Sequence, residues 1–303
     1  MTNDPLFEFQ IQEQVVPLGL HMVAGLNGFT DAGGSISQTS EHIFQNLKHR
    51  LVLRFDNDQL LDYRSRRPVM FFEKDHISSY TPALLALYLV EDEAGQEFLY
   101  LHGYEPDLAW ERFSKAIGQV ANRFEISDFV WVHSIPFPAP HSKPLSVTVS
   151  GNRADLIAKY SEWKPETQVP GNVLHLLEYT LTKIGYATAG FVLLVPHYIS
   201  ESDYPKTAVT AFELITAATG LVFPTDSLRE QNEKFERKLA QQISENTDLQ
   251  RMVENLEQGW KNQHARIGDA PVQSPQFDIP SADDIAAQLE DYLSSRKRNE
   301  EEN

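Results

Sequence analysis

LGLHMVAGLNGFTDAGGSISQTSEHI, residues 18–43, passes from an apolar run into a glycine-rich turn and then into a segment that can present one face from a helix. The run LGLHMVAG (18–25) is continuous rather than alternating, as expected of a strand covered on both faces. Gly25, Gly28, Gly33 and Gly34 permit close backbone approach and positive φ. Asp31 is placed to cap the following helix through the amide hydrogens of Gly33 or Gly34. The same donors suit an anion, but a carboxylate already stands there and disfavours phosphate. Neither GxGxxG nor GxxxxGK[ST] is present, so no nucleotide motif supports the turn.

Outward from this stretch, short apolar runs alternate with longer amphipathic ones. Strands are expected at 51–55, 83–90, 97–103, 129–134, 146–151 and 190–197, and helices at 31–47, 106–124, 172–184 and 204–218. In the second helix Leu108, Phe113, Ile117, Val120 and Phe124 keep helical spacing, and Pro106 suits its first turn. Strands alternating with helices imply an α/β fold with a largely parallel sheet between helical layers. ALLALYLVEDEAGQEFLYLHG, at about 83–103, reads instead as a β-hairpin, which either extends the sheet or projects toward another subunit.

The chain holds 41% hydrophobic residues, a net charge of −17 and no cysteine. Disulfides, thiolate zinc sites and a cysteine nucleophile are excluded. The acidic balance argues against nucleic acid and anionic membranes as partners. Apolar runs are far shorter than the roughly 20 residues of a membrane helix, so a cytoplasmic protein is expected. Residues 225–303 hold 27 of the 69 charged residues. That shift divides the chain into an α/β body, 1–224, and a helical C-terminal region, 225–303. The region offers an amphipathic stretch from Leu228 to Trp260, a Gly- and Pro-containing loop at 266–280, a helix from Ser281 with a near capping box at Asp284, and a charged, frayed end.

In an open parallel sheet, ligands bind outside the carboxyl ends of the strands. Asn27, Asp31, Gly33 and Gly34 follow the first strand; His133 follows FVWV, and His197 with Tyr198 follows GFVLLVP. These seven form the candidate ligand cleft, with His102 a weaker member because of its hairpin. Neutral imidazoles, a carboxylate and an amide suit polar binding or acid-base work; a histidine at a strand end bonded to a loop carbonyl is the competing reading. There is no HExxH or other paired-histidine spacing, so no metal is expected. No GxSxG elbow or other catalytic motif appears, and no cofactor is implied. Arg64, Arg66 and Arg67 in DYRSRRP (62–68) suit either a clamp on a carboxylate or phosphate or a salt-bridged loop at an oligomer contact.

LNGFTDAGGSIS (26–37), DYRSRRP, GYEPDLAWERF (103–113), PHSKPLSVT (140–148), VPG (169–171) and VPHYISESDYPKTA (195–208) together resemble the proteasome assembly chaperone 2 family, in particular its bacterial, actinobacterial-type branch. The likeness runs in order through about residues 15–220. It implies a three-layer α/β/α sandwich similar to purine nucleoside phosphorylase. It also implies a helical C-terminal part over the cleft and a β-hairpin that forms a trimer. No catalytic mechanism transfers with it. The hydrophobic-tyrosine-any-residue tail of eukaryotic members is not matched by the closing Asn-Glu-Glu-Glu-Asn, so proteasome docking by that route is not expected. The resemblance thus favours a non-enzymatic oligomeric binding or assembly protein. The alternative is a hydrolase- or phosphorylase-like enzyme, or a small-molecule binder, with its cleft at the strand ends beneath the C-terminal helices.

Overall fold

The computed structural model of the chain describes residues 6–161 and 166–267. Its main sheet has the order β1-β3-β6-β7-β2-β8-β10-β9. The strands are β1 (Phe7–Phe9), β2 (His21–Asn27), β3 (Lys48–Phe55), β6 (Leu85–Glu91), β7 (Glu97–Tyr104), β8 (Asp128–Phe137), β9 (Ser146–Gly151) and β10 (Ala187–Pro196). The middle of the sheet, β7-β2-β8-β10, is parallel throughout, while antiparallel pairing is confined to β1, β3 and β6 on one flank and β9 on the other. The largely parallel sheet read from the apolar runs is therefore present.

Successive residues along the central strands serve opposite faces. Val23, Val130 and Val132 belong to the core beneath α1 (Ser35–Asn46) and α6 (Pro205–Thr219). Met22, Ala24, Phe129 and Trp131 belong to the core beneath α3 (Trp110–Arg123) and α5 (Val173–Lys183). This is the three-layer α/β/α sandwich. Each fully buried large side chain contributes about 1.5–3 kcal/mol relative to exposure, so Phe113, Ile117 and Val120 alone pin α3 to its face. The short α2 (Asn57–Leu60) and α4 (Ala154–Tyr160) complete the body.

Three expectations change in detail. First, the 83–103 hairpin is β6–β7, and it lies within the sheet, with β7 against β2. Its turn is fixed by Asp92, whose carboxylate accepts from the Ala94, Gln96 and Val222 amides. Second, a hairpin absent from the sequence reading projects instead: β4 (Met70–Glu73) pairs only with β5 (His76–Tyr80), in a separate two-stranded sheet. Third, α3 starts at Trp110, not near Pro106, and Leu108 is exposed. The Glu105 amide bonds to the Asn27 carbonyl, and the Asp107 and Leu108 amides both reach the Leu60 carbonyl. Those bonds hold residues 105–108 across the sheet end, and Ala109 at φ 55° then turns the chain into the helix.

After α6 come α7 (Asp226–Glu245) and α8 (Thr247–Ile267). Leu228 and Leu239 of α7 and Val253 of α8 are buried. Phe235 packs on Tyr204 with ring centres 5.0 Å apart, and Glu257 of α8 accepts from the Ser142 hydroxyl at 2.7 Å. The loop expected at 266–280 extends beyond the described residues, and the helix expected from Ser281 and the charged end lie outside them.

Candidate functional site

The carboxyl ends of β2, β8 and β10 place the candidate residues at one edge of the sheet but on two faces of it. Alternation from Val132 to Ser134 sends His133 to the α3/α5 face, with Trp131. Asp31, Gly33 and Gly34 lie on the other face, against α1 and α6.

On the α1/α6 face, most of the expected groups are engaged within the chain. Asp31 does cap, though not at Gly33 or Gly34. Its carboxylate accepts from the Ile36 amide at 2.7 Å, the Ser37 amide at 3.0 Å and the Ser37 hydroxyl at 2.6 Å. Gly33 (φ 68°) and Gly34 (φ 61°) form a left-handed kink before α1, so the capped amides are those of Ile36 and Ser37. A Cβ on Gly33 would stand 2.7 Å from Thr207 Cγ2, and one on Gly34 2.6 Å from Asp203 Oδ1. The Gly33 amide donates to the Ser200 carbonyl, and its carbonyl accepts from the Tyr204 amide and the Thr207 hydroxyl. The glycines therefore admit the start of α6, and the protein's own backbone occupies the approach they create.

His197 stands exposed after β10 with its ring edge-on to Tyr198. The Tyr198 hydroxyl accepts from the His141 amide at 2.8 Å and bonds to His141 Nδ1 at 2.6 Å. The direction of the Nδ1 contact follows the imidazole tautomer. Burial raises the Tyr198 hydroxyl to about 12 and lowers His141.

On the α3/α5 face, His133 Nε2 lies 3.0 Å from the Thr30 hydroxyl, whose own proton goes to the Ser134 carbonyl at 2.9 Å. Thr30 must accept from His133, which fixes the Nε2–H tautomer and leaves Nδ1 as an acceptor. Burial, with His175 nearby, pushes the imidazole down to about 4, so it is neutral at pH 7. Phe29 stacks on it at 5.3 Å while remaining partly exposed. Glu105 accepts from the Val173 amide at the start of α5, and burial raises its carboxyl. Arg66 pairs with Asp107 at 3.0 Å and lies over the Tyr104 ring. Its guanidinium fills the space that Gly28 leaves by lacking a side chain. Of the two roles open to the DYRSRRP arginines, this one is a salt bridge.

Asn27 Oδ1 and Ser134 Oγ are buried without a partner at this edge. Thr30, Glu105, His141 and His175 escaped the sequence reading. Glu105 alone had a usable signal, since it directly follows the EFLYLHGY strand. His102 is half-buried, packed against Tyr100 and Phe44, and burial pushes its imidazole down to about 4. Among the described residues no three His, Asp or Glu side chains converge as a metal ion requires, and no helix is long and apolar enough to cross a membrane. A groove of 1180 Å³ runs along β1 and the hairpin base, lined by Phe7, Phe9, Arg54, Tyr63 and Tyr80. It includes none of the seven candidate residues, so its size carries no argument about the strand-end chemistry.

Fold and strand ends define a three-layer α/β/α protein with a projecting hairpin and appended helices. The chain belongs to the PAC2 family, whose pattern matches residues 25–243. A Mycobacterium tuberculosis protein of unknown function, Rv2714, is 32% identical over 88% of this chain and 92% of its own, with a TM-score of 0.82. A protein of unknown function from Corynebacterium glutamicum ATCC 13032 is 33% identical over 87% of this chain and 99% of its own, with a TM-score of 0.80. The M. tuberculosis proteasome-assembly chaperone homologue Rv2125, 19% identical over 77% of this chain and 100% of its own, shares the fold at a TM-score of 0.71. No curated protein matches the chain. The actinobacterial-type resemblance is thereby borne out.

Proposed function

We propose that the chain is a non-enzymatic binding or assembly protein that works in the cytoplasm as a homotrimer held through the β4–β5 hairpin. The observation that carries this is the hairpin surface. Val69 is 81% exposed, Phe71 62% and Phe72 63%, with Met70, Ile77 and Tyr80 also open. A contiguous apolar patch of this kind marks an interaction surface, and β4 and β5 pair only with each other. The assembly role follows the chaperone homologue named above.

In this reading the body comprises residues 1–224. The helical region from 225 acts as a lid over the strand-end cleft of Asn27, Asp31, Gly33, Gly34, His133, His197 and Tyr198. Within that cleft Asn27 Oδ1, the Nδ1 of His133 and the exposed His197 are the groups left for a ligand. Support for an enzyme is weaker, because Asp31 and Tyr198 have their polar atoms bonded within the chain. The test replaces Phe71 and Phe72 by serine and measures mass by light scattering. The double variant is expected to be monomeric and folded; an oligomer unchanged by it would refute the hairpin interface.

A further inference from the structure

Every residue of β4 and β5 is exposed. A two-stranded ribbon that buries neither face is marginally stable in water and gains stability from a third strand or a covering surface. In a closed ring of three copies each contact joins two different patches, so the hairpin needs a receptor unlike itself. Such a receptor combines an open strand edge with an apolar lining.

β1 ends the main sheet on its antiparallel flank. The Asp56 amide donates to the Leu6 carbonyl, and the Gln10 amide to the Val52 carbonyl. Leu6, Glu8 and Gln10 are therefore the residues that bond to β3, and the alternation of an antiparallel ladder turns the N–H and C=O of Phe7 and Phe9 outward. Among the described residues none pairs with those groups. Beside this edge runs the groove of 1180 Å³, larger than the roughly 300–1,000 Å³ of a small-molecule pocket. Phe7, Phe9 and Tyr63 supply aromatic lining, and Gln119 and Val120 of α3 form a wall. Tyr80, at the hairpin base, also lines the groove, yet no residue from Val69 to Ser79 does. The hairpin thus leaves from the rim of the groove without filling it.

We infer that the hairpin of one copy docks in this groove on its neighbour, adding a strand beside β1. Phe72 and Ile77 are cross-strand partners, 63% and 52% exposed. They share one face of the ribbon, and that face meets the aromatic lining. Each copy gives one hairpin and receives one, so the ring closes and no β1 edge is left open. The inference rests on the hairpin reading above and names the surface that the hairpin meets.

The chain has no cysteine, so two introduced thiols report one contact. Ser79→Cys lies on β5 and Gln119→Cys in the groove wall, both at exposed positions. The full-length double variant is treated with a short bismaleimide linker and run on a denaturing gel. Covalent dimers and trimers are expected from it, and neither single variant should cross-link. Cross-linking of Ser79→Cys alone would set hairpin against hairpin and overturn the inference. So would a double variant that remains oligomeric in light scattering but links only within one chain or not at all. Strand addition is read by hydrogen exchange. The Phe7 and Phe9 amides should exchange about tenfold or more slowly in the oligomer than in the monomeric Phe71→Ser, Phe72→Ser variant. Equal exchange in the two would overturn pairing at β1. These outcomes are read on an oligomer that the hairpin holds; a wild-type monomer in light scattering would instead refute the hairpin interface itself.

Discussion

Asp31 and Ser37 are joined twice, backbone amide and hydroxyl both donating to one carboxylate oxygen. With the Ile36 amide on the other oxygen, the carboxylate satisfies donors that the start of α1 would otherwise leave open. Asp31→Ala is expected to cost about 2 kcal/mol in urea unfolding. Asp31→Asn, which keeps one acceptor, should cost less. An Asp31→Ala protein as stable as wild type would mean that the carboxylate serves something other than its helix.

Gly33→Ala should be worse than its size suggests. Its positive φ alone costs a side chain on the order of 1–3 kcal/mol, and the new methyl meets Thr207 and Val195. Thr207→Ser removes the closer of these contacts and should recover part of the loss. A double-mutant cycle measures that recovery; additive effects would remove the claim that the turn is closed by α6.

The appended helices should behave as part of the body. Leu239→Ala is expected to destabilise by about 2–5 kcal/mol, as buried leucine truncations do. Hydrogen exchange in α7 should accelerate together with that at Tyr204, to which Phe235 packs. Faster exchange in α7 with Tyr204 unchanged would mean that the helix is only loosely associated.

Acid should weaken the fold through His133. Its pKa is about 4 when folded, held down chiefly by burial, against an ordinary 6.5. Between those values the unfolded chain binds the extra proton, so stability is complete above about pH 6.5 and falls as pH drops toward 4, by on the order of 3 kcal/mol. Glu105, raised by burial, acts in the opposite sense above its ordinary value, but it is common to both proteins compared. His133→Gln retains a donor for Thr30 without the titration. Its urea midpoint should fall less than wild type over this window; parallel curves would contradict the assignment.

The sequence made the parallel core legible because its strands are covered on both faces. The runs around Met22–Ala24, Phe129–Val132 and Phe191–Val195 could hardly be anything else. Which face each exit residue serves was not legible. His133 and Ser134 are adjacent, and register alone sends them to opposite sides. Asp31 was recognised as a cap, but the left-handed kink at Gly33 and Gly34 moved the cap by a turn that spacing does not record. The β4–β5 hairpin left no periodic signal because Phe71 and Phe72 are adjacent and both exposed. Alternation appears only where one face is buried within the same chain.

In the proposed assembly this exposed hairpin holds copies of the chain together. The most direct measurement is the solution mass of the purified full-length protein by light scattering over a range of concentrations. Three times the chain mass of 34.5 kDa is the predicted result, falling to a single chain in the Phe71→Ser, Phe72→Ser variant. A wild-type protein that stays monomeric at every concentration would contradict it.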